Sequence, residues 1–448
     1  MRILLLISCL LAALPGWSAE PAPASIHSFW IWNHVDSFPK RDVLALQPLG
    51  IDRLYHHLHE LHPDGTWKEI RSFLPEHFEI PHRYSVVRIA PDPKWIDDPK
   101  GIAEIPQLPT PPHLRTTRKT PGLQIDFDCP ASRLADYAAA ITRLRETGKF
   151  PSISVTALAS WIDAPDFPKL AAVVDEIVPM FYDLEPDTPT AVQSGNFQPM
   201  IGADTLRWIE KWKNCPQDWR AGLPNFQRLS IFAQDGSLVG HHPRFSPDSL
   251  LDHPLLDRQS PNLGPVTVFD VIHSGTLSNR KIEPGQILVL RRPDDELLRS
   301  AVTTSMNSGA RGIVWFAHPS SAPTPWRSLP HLCQFQPDMD PLAKPVIQVY
   351  LDEAGVILVT NPGPTDIGPR PDGQPWKITL QAAPGSFGRS HSGDFSSLEA
   401  IGGSTHRLEL AQGIRLGFHS LPAGKQLRSG PRLALTSTVP PWSLDPTP

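Results

Sequence analysis

The stretch "GLQIDFDCP", Gly122 to Pro130, sets two carboxylates one residue apart inside an otherwise apolar run. Successive side chains of a strand alternate faces, so Asp126 and Asp128 point the same way. Burying two unpaired charges is costly, and the arrangement needs a structural or a chemical reason. A second acidic group, Tyr182, Asp183 and Glu185, follows the apolar run "EIVPM". Two carboxylates facing each other across a cleft are the usual equipment for cutting a glycosidic bond. A gap of about 5 Å implies a covalent intermediate, and one of roughly 6.5 to 9.5 Å leaves room for a water. On this reading Asp128 is the base or nucleophile. Asp183 is the acid, its pKa raised by a like charge nearby. For Asp126 the competing reading is an interior aspartate satisfied by barrel neighbours such as Arg88.

Flat aromatic side chains are the second chemical signal. Trp32, Trp161, Tyr182 and Trp315 fall at the ends of apolar runs, with Asn33 and His318 close by as polar partners. Sugar rings stack their C–H faces on such side chains, so this set reads as a carbohydrate cleft. The competing reading is that tryptophans in strands fill the core. "YHHLHELH" brings together His56, His57, His59 and His62. Imidazoles so dense could hold zinc, but neither HExxH spacing nor a cysteine pair accompanies them. They read instead as one histidine in a barrel mouth and the rest on a wet loop. No phosphate-binding loop, dinucleotide fingerprint or serine-hydrolase elbow occurs, and no cofactor is expected.

These residues need a scaffold that gathers strand ends. From about Ser25 to Pro341 short apolar runs alternate with amphipathic stretches. The strand candidates are "HSFWIWN", "IDRLYHHLHEL", "RYSVVRIAP", "GLQIDFDCP", "SISVTALASW", "EIVPMFYDL", "WRAGLPN" and "GIVWFAHP". Between the fourth and fifth, Leu134, Tyr137, Ala138, Ile141 and Leu144 recur at helical spacing and Gly148 marks a stop. "PDDELLRSAVTTSMNSGA" repeats that pattern, with acids in its first turn. Eight such units predict an α/β fold, a (β/α)8 TIM-type barrel over 25–340, whose active site lies at the C-terminal strand ends. "PVTVFDVIHSG" and "GQILVLRRP" read as extra strands inserted near the seventh unit. After Pro341 the period becomes two without helical runs, which predicts a β-sandwich over 341–448 with a loose C-terminal tail.

Composition narrows the setting. The chain has 448 residues and a formal net charge of -5, which argues against nucleic acid as a partner. Its 52 prolines stiffen many loops. Residues 1–19 carry one arginine, an apolar run and small residues at Ser18 and Ala19, the pattern of a secretory signal peptide. That run is too short to span a bilayer, and no later segment is long enough. A lipoprotein route through Cys9 ranks below ordinary cleavage. Three cysteines then remain, Cys129, Cys215 and Cys333, which read as small apolar core residues.

The runs "WIWN", "GLQIDFDCP", "VTALASWI", "VDEIVPMFYDL" and "GIVWFAHP" resemble the bacterial family called domain of unknown function 3142. That resemblance implies an exported barrel related to glycoside hydrolases. More distantly, "DFDCP" and "MFYD" are similar to the fourth- and sixth-strand motifs of glycoside hydrolase family 18. Asp126 and Asp128 match the two aspartates of the first motif, and Met180, Tyr182 and Asp183 match the second. Where the chitinase-like enzymes carry their catalytic glutamate, this chain has Pro130, so their substrate-assisted mechanism does not carry over. The expectation is an exported barrel that hydrolyses a polysaccharide or glycan. The alternative is a non-catalytic sugar- or envelope-binding protein that has lost the acid.

Overall fold

The computed structural model describes residues 25–32, 45–46, 48–70, 80–109, 121–184, 186–242, 245–251, 253–260, 262–321, 324–338 and 342–445. The signal-peptide region, Cys9, Asn33, Glu185 and the expected boundary at 340/341 lie outside them.

Eight parallel strands close into a barrel. They are β1 (His27–Ile31), β2 (Arg53–Leu61), β3 (His82–Ile89), β4 (Gly122–Phe127), β5 (Ile153–Leu158), β6 (Glu176–Met180), β7 (Ala221–Pro224) and β8 (Ile313–Phe316). Each pairs with the next, and β1 pairs with both β2 and β8, which shuts the ring.

Strand alternation divides the side chains into two cores. Phe29, Ile125, Phe127, Val155, Ile177 and Trp315 face outward and pack with the surrounding helices. Leu134, Tyr137, Ile141 and Leu144 form the buried stripe of the helix Leu134–Glu146 and meet them there. That helix ends where Gly148 takes a positive φ of 64°. Trp30, Tyr55, Tyr84, Val86, Val178 and Val314 face inward and fill the barrel. At its N-terminal end Glu176 accepts hydrogen bonds from Tyr55 Oη (2.6 Å) and Ser154 Oγ (3.2 Å). Arg53 and Arg220 also reach Glu176, each at 3.1 Å. This cluster closes the floor, so the cavity described below opens at the other end, where β4 and β6 deliver their acids.

The histidines of β2 differ from the sequence expectation. β2 runs on through a register shift between His57 and His59. His56, His57 and His59 are therefore strand residues, exposed by only 0%, 4% and 5%. Not a wet loop but a buried strand carries them, and only His62 lies beyond its end.

Between β7 and the helix Asp295–Asn307 the chain inserts a five-stranded antiparallel sheet. Its order is Leu238–His242, Arg228–Phe232, Ile287–Arg291, Val266–Val271 and Leu256–Arg258. The two inserted strands expected from sequence are its third and fourth members. Leu229, Ile231, Phe269, Leu288 and Leu290 form a core on one face. Arg228 and Arg291, directly opposite in register, lie on the other.

Beyond the barrel are two antiparallel sheets with one shared apolar core, including Val359, Ile378, Leu380, Leu416 and Phe418. Trp442–Asp445 pairs with Lys377–Leu380, so this part of the tail is an edge strand rather than loose chain. Alternation explains the difference: Leu444 packs against that core while its neighbours face out. The sheets join the barrel through Asp366, which accepts from the Ser328 backbone N–H at 2.9 Å and Oγ at 2.5 Å. The Asp366 backbone N–H in turn donates to His331 Nδ1 at 3.0 Å.

Candidate functional site

A cavity of about 440 Å³ opens at the C-terminal end of the barrel strands. Alternation decides which acids reach it. Gln124 and Asp126 face inward on β4, and Asp128, one step past the strand end, continues that line. On β6 the inward set is Glu176, Val178 and Met180, continued by Tyr182, while Phe181 between them is buried in the outer core.

Asp126 is 5% exposed. Its Oδ2 accepts from Arg88 Nη1 at 2.9 Å and its Oδ1 from Thr156 Oγ1 at 2.8 Å. Both oxygens are thus satisfied, which is the interior reading weighed for it above, yet the side chain still borders the cavity.

Asp128 is placed otherwise. It is half-buried at the cavity wall, and among the described residues no group donates it a hydrogen bond. Burial raises its pKa, the Asp126 charge raises it further, and Arg88 pulls it back only in part. The like charge beside Asp128 is therefore Asp126, its strand neighbour, rather than Asp183.

Asp183 holds a left-handed backbone with φ 53°, uncommon for a residue with a side chain. Its Oδ2 is ion-paired with Arg228 Nη1, and its Oδ1 is buried without a partner among the described residues. Burial pushes its pKa up against the pull of Arg228 and Arg291. Tyr182 stacks on Phe316 with centroids 6.0 Å apart. Burial together with the Asp126 and Asp183 charges holds its phenol well above the ordinary range, so it remains a hydrogen-bond donor.

Of the expected aromatic set, Trp32 borders the cavity and stacks flat on His57, centroids 4.0 Å apart at 12°. Arg88 also lines it, its guanidinium 5.8 Å from the Trp32 ring. Trp161 and Trp315 do not belong there: both are 0% exposed in the outer core. Trp161 Nε1 donates to the Cys129 carbonyl at 3.2 Å, and Trp315 Nε1 to His27 Nδ1 at 3.0 Å. Trp315 is turned outward because its neighbours Val314 and Phe316 face in. His318 is likewise buried, edge-on to Phe29 at 5.4 Å, and lines no part of the cavity. Pro130 leads into the short turn Ala131–Arg133 and places no acid where β4 ends.

Three site residues escaped the sequence reading. Trp208, on the helix Ala203–Lys211, forms part of the cavity wall, with Lys211 Nζ 4.1 Å from its ring. A tryptophan on the outer face of an amphipathic helix carries no mark of its partner across a gap. Thr156 orients Asp126. Arg228, which engages Asp183, comes from the insertion 45 positions downstream. Among the described residues no three histidine, cysteine or acidic groups converge as metal ligands, and no helix is long and apolar enough to cross a membrane.

The stretch from β3 through the start of the insertion thus contains all three aspartates of the cavity. Residues 85–239 match the family "Domain of unknown function (DUF3142)". The DUF3142 segment covers β4 to β7 whole, and with them the acids and Trp208. No curated protein matches the chain. Among solved structures it is similar to the spore cortex-lytic enzyme SleL of Bacillus cereus at 15% identity. There the TM-score is 0.44, with 68% of this chain and 73% of that one covered. It is also similar to a chitinase of Chromobacterium violaceum at 13% identity and TM-score 0.42, covering 66% and 94%. A Group IV chitinase of Ostrinia furnacalis gives 13% identity and 0.41, covering 67% and 94%.

Proposed function

We propose that the protein is an exported glycoside hydrolase acting on a polysaccharide or glycan, with the two C-terminal sheets forming a β-sandwich accessory module. The observation that carries this reading is the environment of Asp128: a half-buried carboxyl, with no donor among the described residues, facing a cavity whose lining includes Trp32 and Trp208. A carboxyl whose pKa is raised by burial and a like charge is suited to give a proton to a glycosidic oxygen. Asp183 receives the complementary role: its ion pair with Arg228 pulls toward the carboxylate, against the burial that raises its pKa. These assignments reverse the roles expected from sequence. On this assignment the reaction follows the inverting scheme, in which roughly 6.5 to 9.5 Å between the two carboxyls leaves room for a water. Asp183 would act on that water as base, and the sugar would leave with inverted configuration.

A second reading, a sugar-binding protein without turnover, is favoured by one observation: Pro130 stands where the related barrels carry their acid. Reducing ends released from a polysaccharide panel by the wild-type protein and by Asp128→Asn separate the two. Release by the wild type that falls by about 100-fold or more in the variant supports the hydrolase. Equal release by both excludes Asp128 from the chemistry, and binding without release favours the second reading.

A further inference from the structure

Beside the main cavity, and sharing Asp183 and Leu184 with it, lies a smaller one of about 160 Å³. Its far wall carries Arg228 and Arg291, supplied by two adjacent strands of the insertion. The two stand directly opposite in antiparallel register, on the same face of the sheet. Like charges in that position destabilise a sheet unless something between them is negative. Part of the need is met inside the protein. Arg228 pairs with Asp183, Arg291 pairs with Asp187, and Arg291 Nε donates to the Gln198 carbonyl at 2.8 Å. Asp204 at the rim is already paired with Arg207. Even so, Arg228 Nε and Arg291 Nη1 are buried and meet no acceptor among the described residues. The Arg291 side chain is only 2% exposed, so water replaces such a partner poorly. The N-terminal turn of Ala203–Lys211 forms the opposite wall and adds its own positive end.

We propose that this side pocket receives the carboxylate or sulfate of an acidic sugar unit whose ring lies in the main cavity. The substrate class is then an acidic glycan rather than a neutral one. The inference rests on the carbohydrate reading of the main cavity and deepens it. The volume suits that group: it holds about five waters' worth of space, enough for an acidic substituent with its linking atoms but too little for a second stretch of polymer. A guanidinium pair is the recognition chemistry suited to a planar carboxylate or to a sulfate. Asp183 does not bar an anion, since Arg228 neutralises it.

Ala203 gives a clean test. It is exposed, it lines the side pocket at the first turn of its helix, and it has no part in the proton-transfer machinery. An acid there suits the helix end, so Ala203→Asp folds while placing a negative charge in the pocket. Ala203→Asn is the uncharged match. Affinity of the full-length chain is measured for a polyuronate and its carboxyl-reduced form, and for a sulfated polysaccharide and its desulfated form. The two pairs distinguish a carboxylate from a sulfate as the recognised group. The expected result is tighter binding of one acidic polymer than of its neutral form, weakened about tenfold in Ala203→Asp and little changed in Ala203→Asn. Equal binding of acidic and neutral forms, or an acid preference that survives in Ala203→Asp, overturns the proposal. Turnover of neutral glycans that depends on Asp128 would sink this inference and leave the hydrolase standing. Acid-selective binding without turnover would do the reverse.

Discussion

Replacing Asp126 by asparagine tests why Asp128 is tuned as it is. The two side chains lie two positions apart on one strand face, so their Cα atoms are about 7 Å apart. Unit charges at that distance repel by about 2.4 kcal/mol at an effective dielectric of 20 and by about 0.6 kcal/mol in water. Asp126 is 5% exposed but partly neutralised by Arg88, and Asp128 is half-buried at an open cavity. An intermediate repulsion of about 1 kcal/mol is therefore expected, about a fivefold change in the acidity of Asp128. In Asp126→Asn that repulsion vanishes, and Arg88, released from its ion pair, turns its full attraction on Asp128. Both changes favour the carboxylate. The fold tolerates the change because Thr156 Oγ1 retains an acceptor in the asparagine carbonyl. The alkaline limb of kcat/KM then moves to lower pH by about one unit, since the donor loses its proton sooner. A carbon-13 NMR titration of the Asp128 carboxyl in both proteins reads the same quantity without a substrate. An Asp128 carboxyl that titrates at the same pH in the variant, or at a higher one, refutes the reasoning.

Asp128→Asn is expected to stabilise the protein at pH 7 and to leave it unchanged near pH 3. The folded-state pKa of Asp128 is raised, so folding opposes its ionisation once pH passes the ordinary carboxylate range; urea unfolding at the two pH values checks this. Trp32→Ala and Trp208→Ala should each weaken glycan binding about 10- to 100-fold in calorimetric titration while leaving the fold intact. Trp161→Ala and Trp315→Ala should instead cost about 3–5 kcal/mol of stability, read by thermal unfolding, because both side chains are 0% exposed. Asp295→Asn should destabilise the junction with the C-terminal sheets by about 2–3 kcal/mol at pH 7. Burial opposes the Asp295 charge, but Arg327 and His331 outweigh it and hold its pKa well below the usual range. That stabilisation is present above the unfolded carboxylate pKa and fades as pH falls through the folded one, so the gap between wild type and variant should close in strong acid.

Strand parity carried much of the sequence reading and also marks where it failed. Alternating apolar and amphipathic runs were enough for eight βα units, and parity put Asp126 and Asp128 on one face. The same rule, applied to "IVWF", turns Trp315 outward, because Val314 and Phe316 take the inner face. Trp161 was misplaced for another reason: it falls in the turn Ala159–Asp163 beyond β5, where strand parity no longer applies. The histidines of β2 were expected on a wet loop although their run was a strand candidate, and a register shift lets the strand continue through them. Arg228 and Arg291 were illegible because their meaning depends on cross-strand register inside the insertion and on its placement against β6. Trp208 was missed because nothing local tells a cleft-facing tryptophan from one that merely covers a surface.

The most direct test of the central claim, that Asp128 hands a proton to the departing sugar oxygen, is the dependence of rate on the leaving group. Asp128→Asn is compared with wild type on a glycan and on an aryl glycoside whose phenolate leaves without protonation. The account predicts a loss of about 100- to 10,000-fold on the glycan and little loss on the activated substrate. Equal losses on both substrates, or none on either, would contradict it.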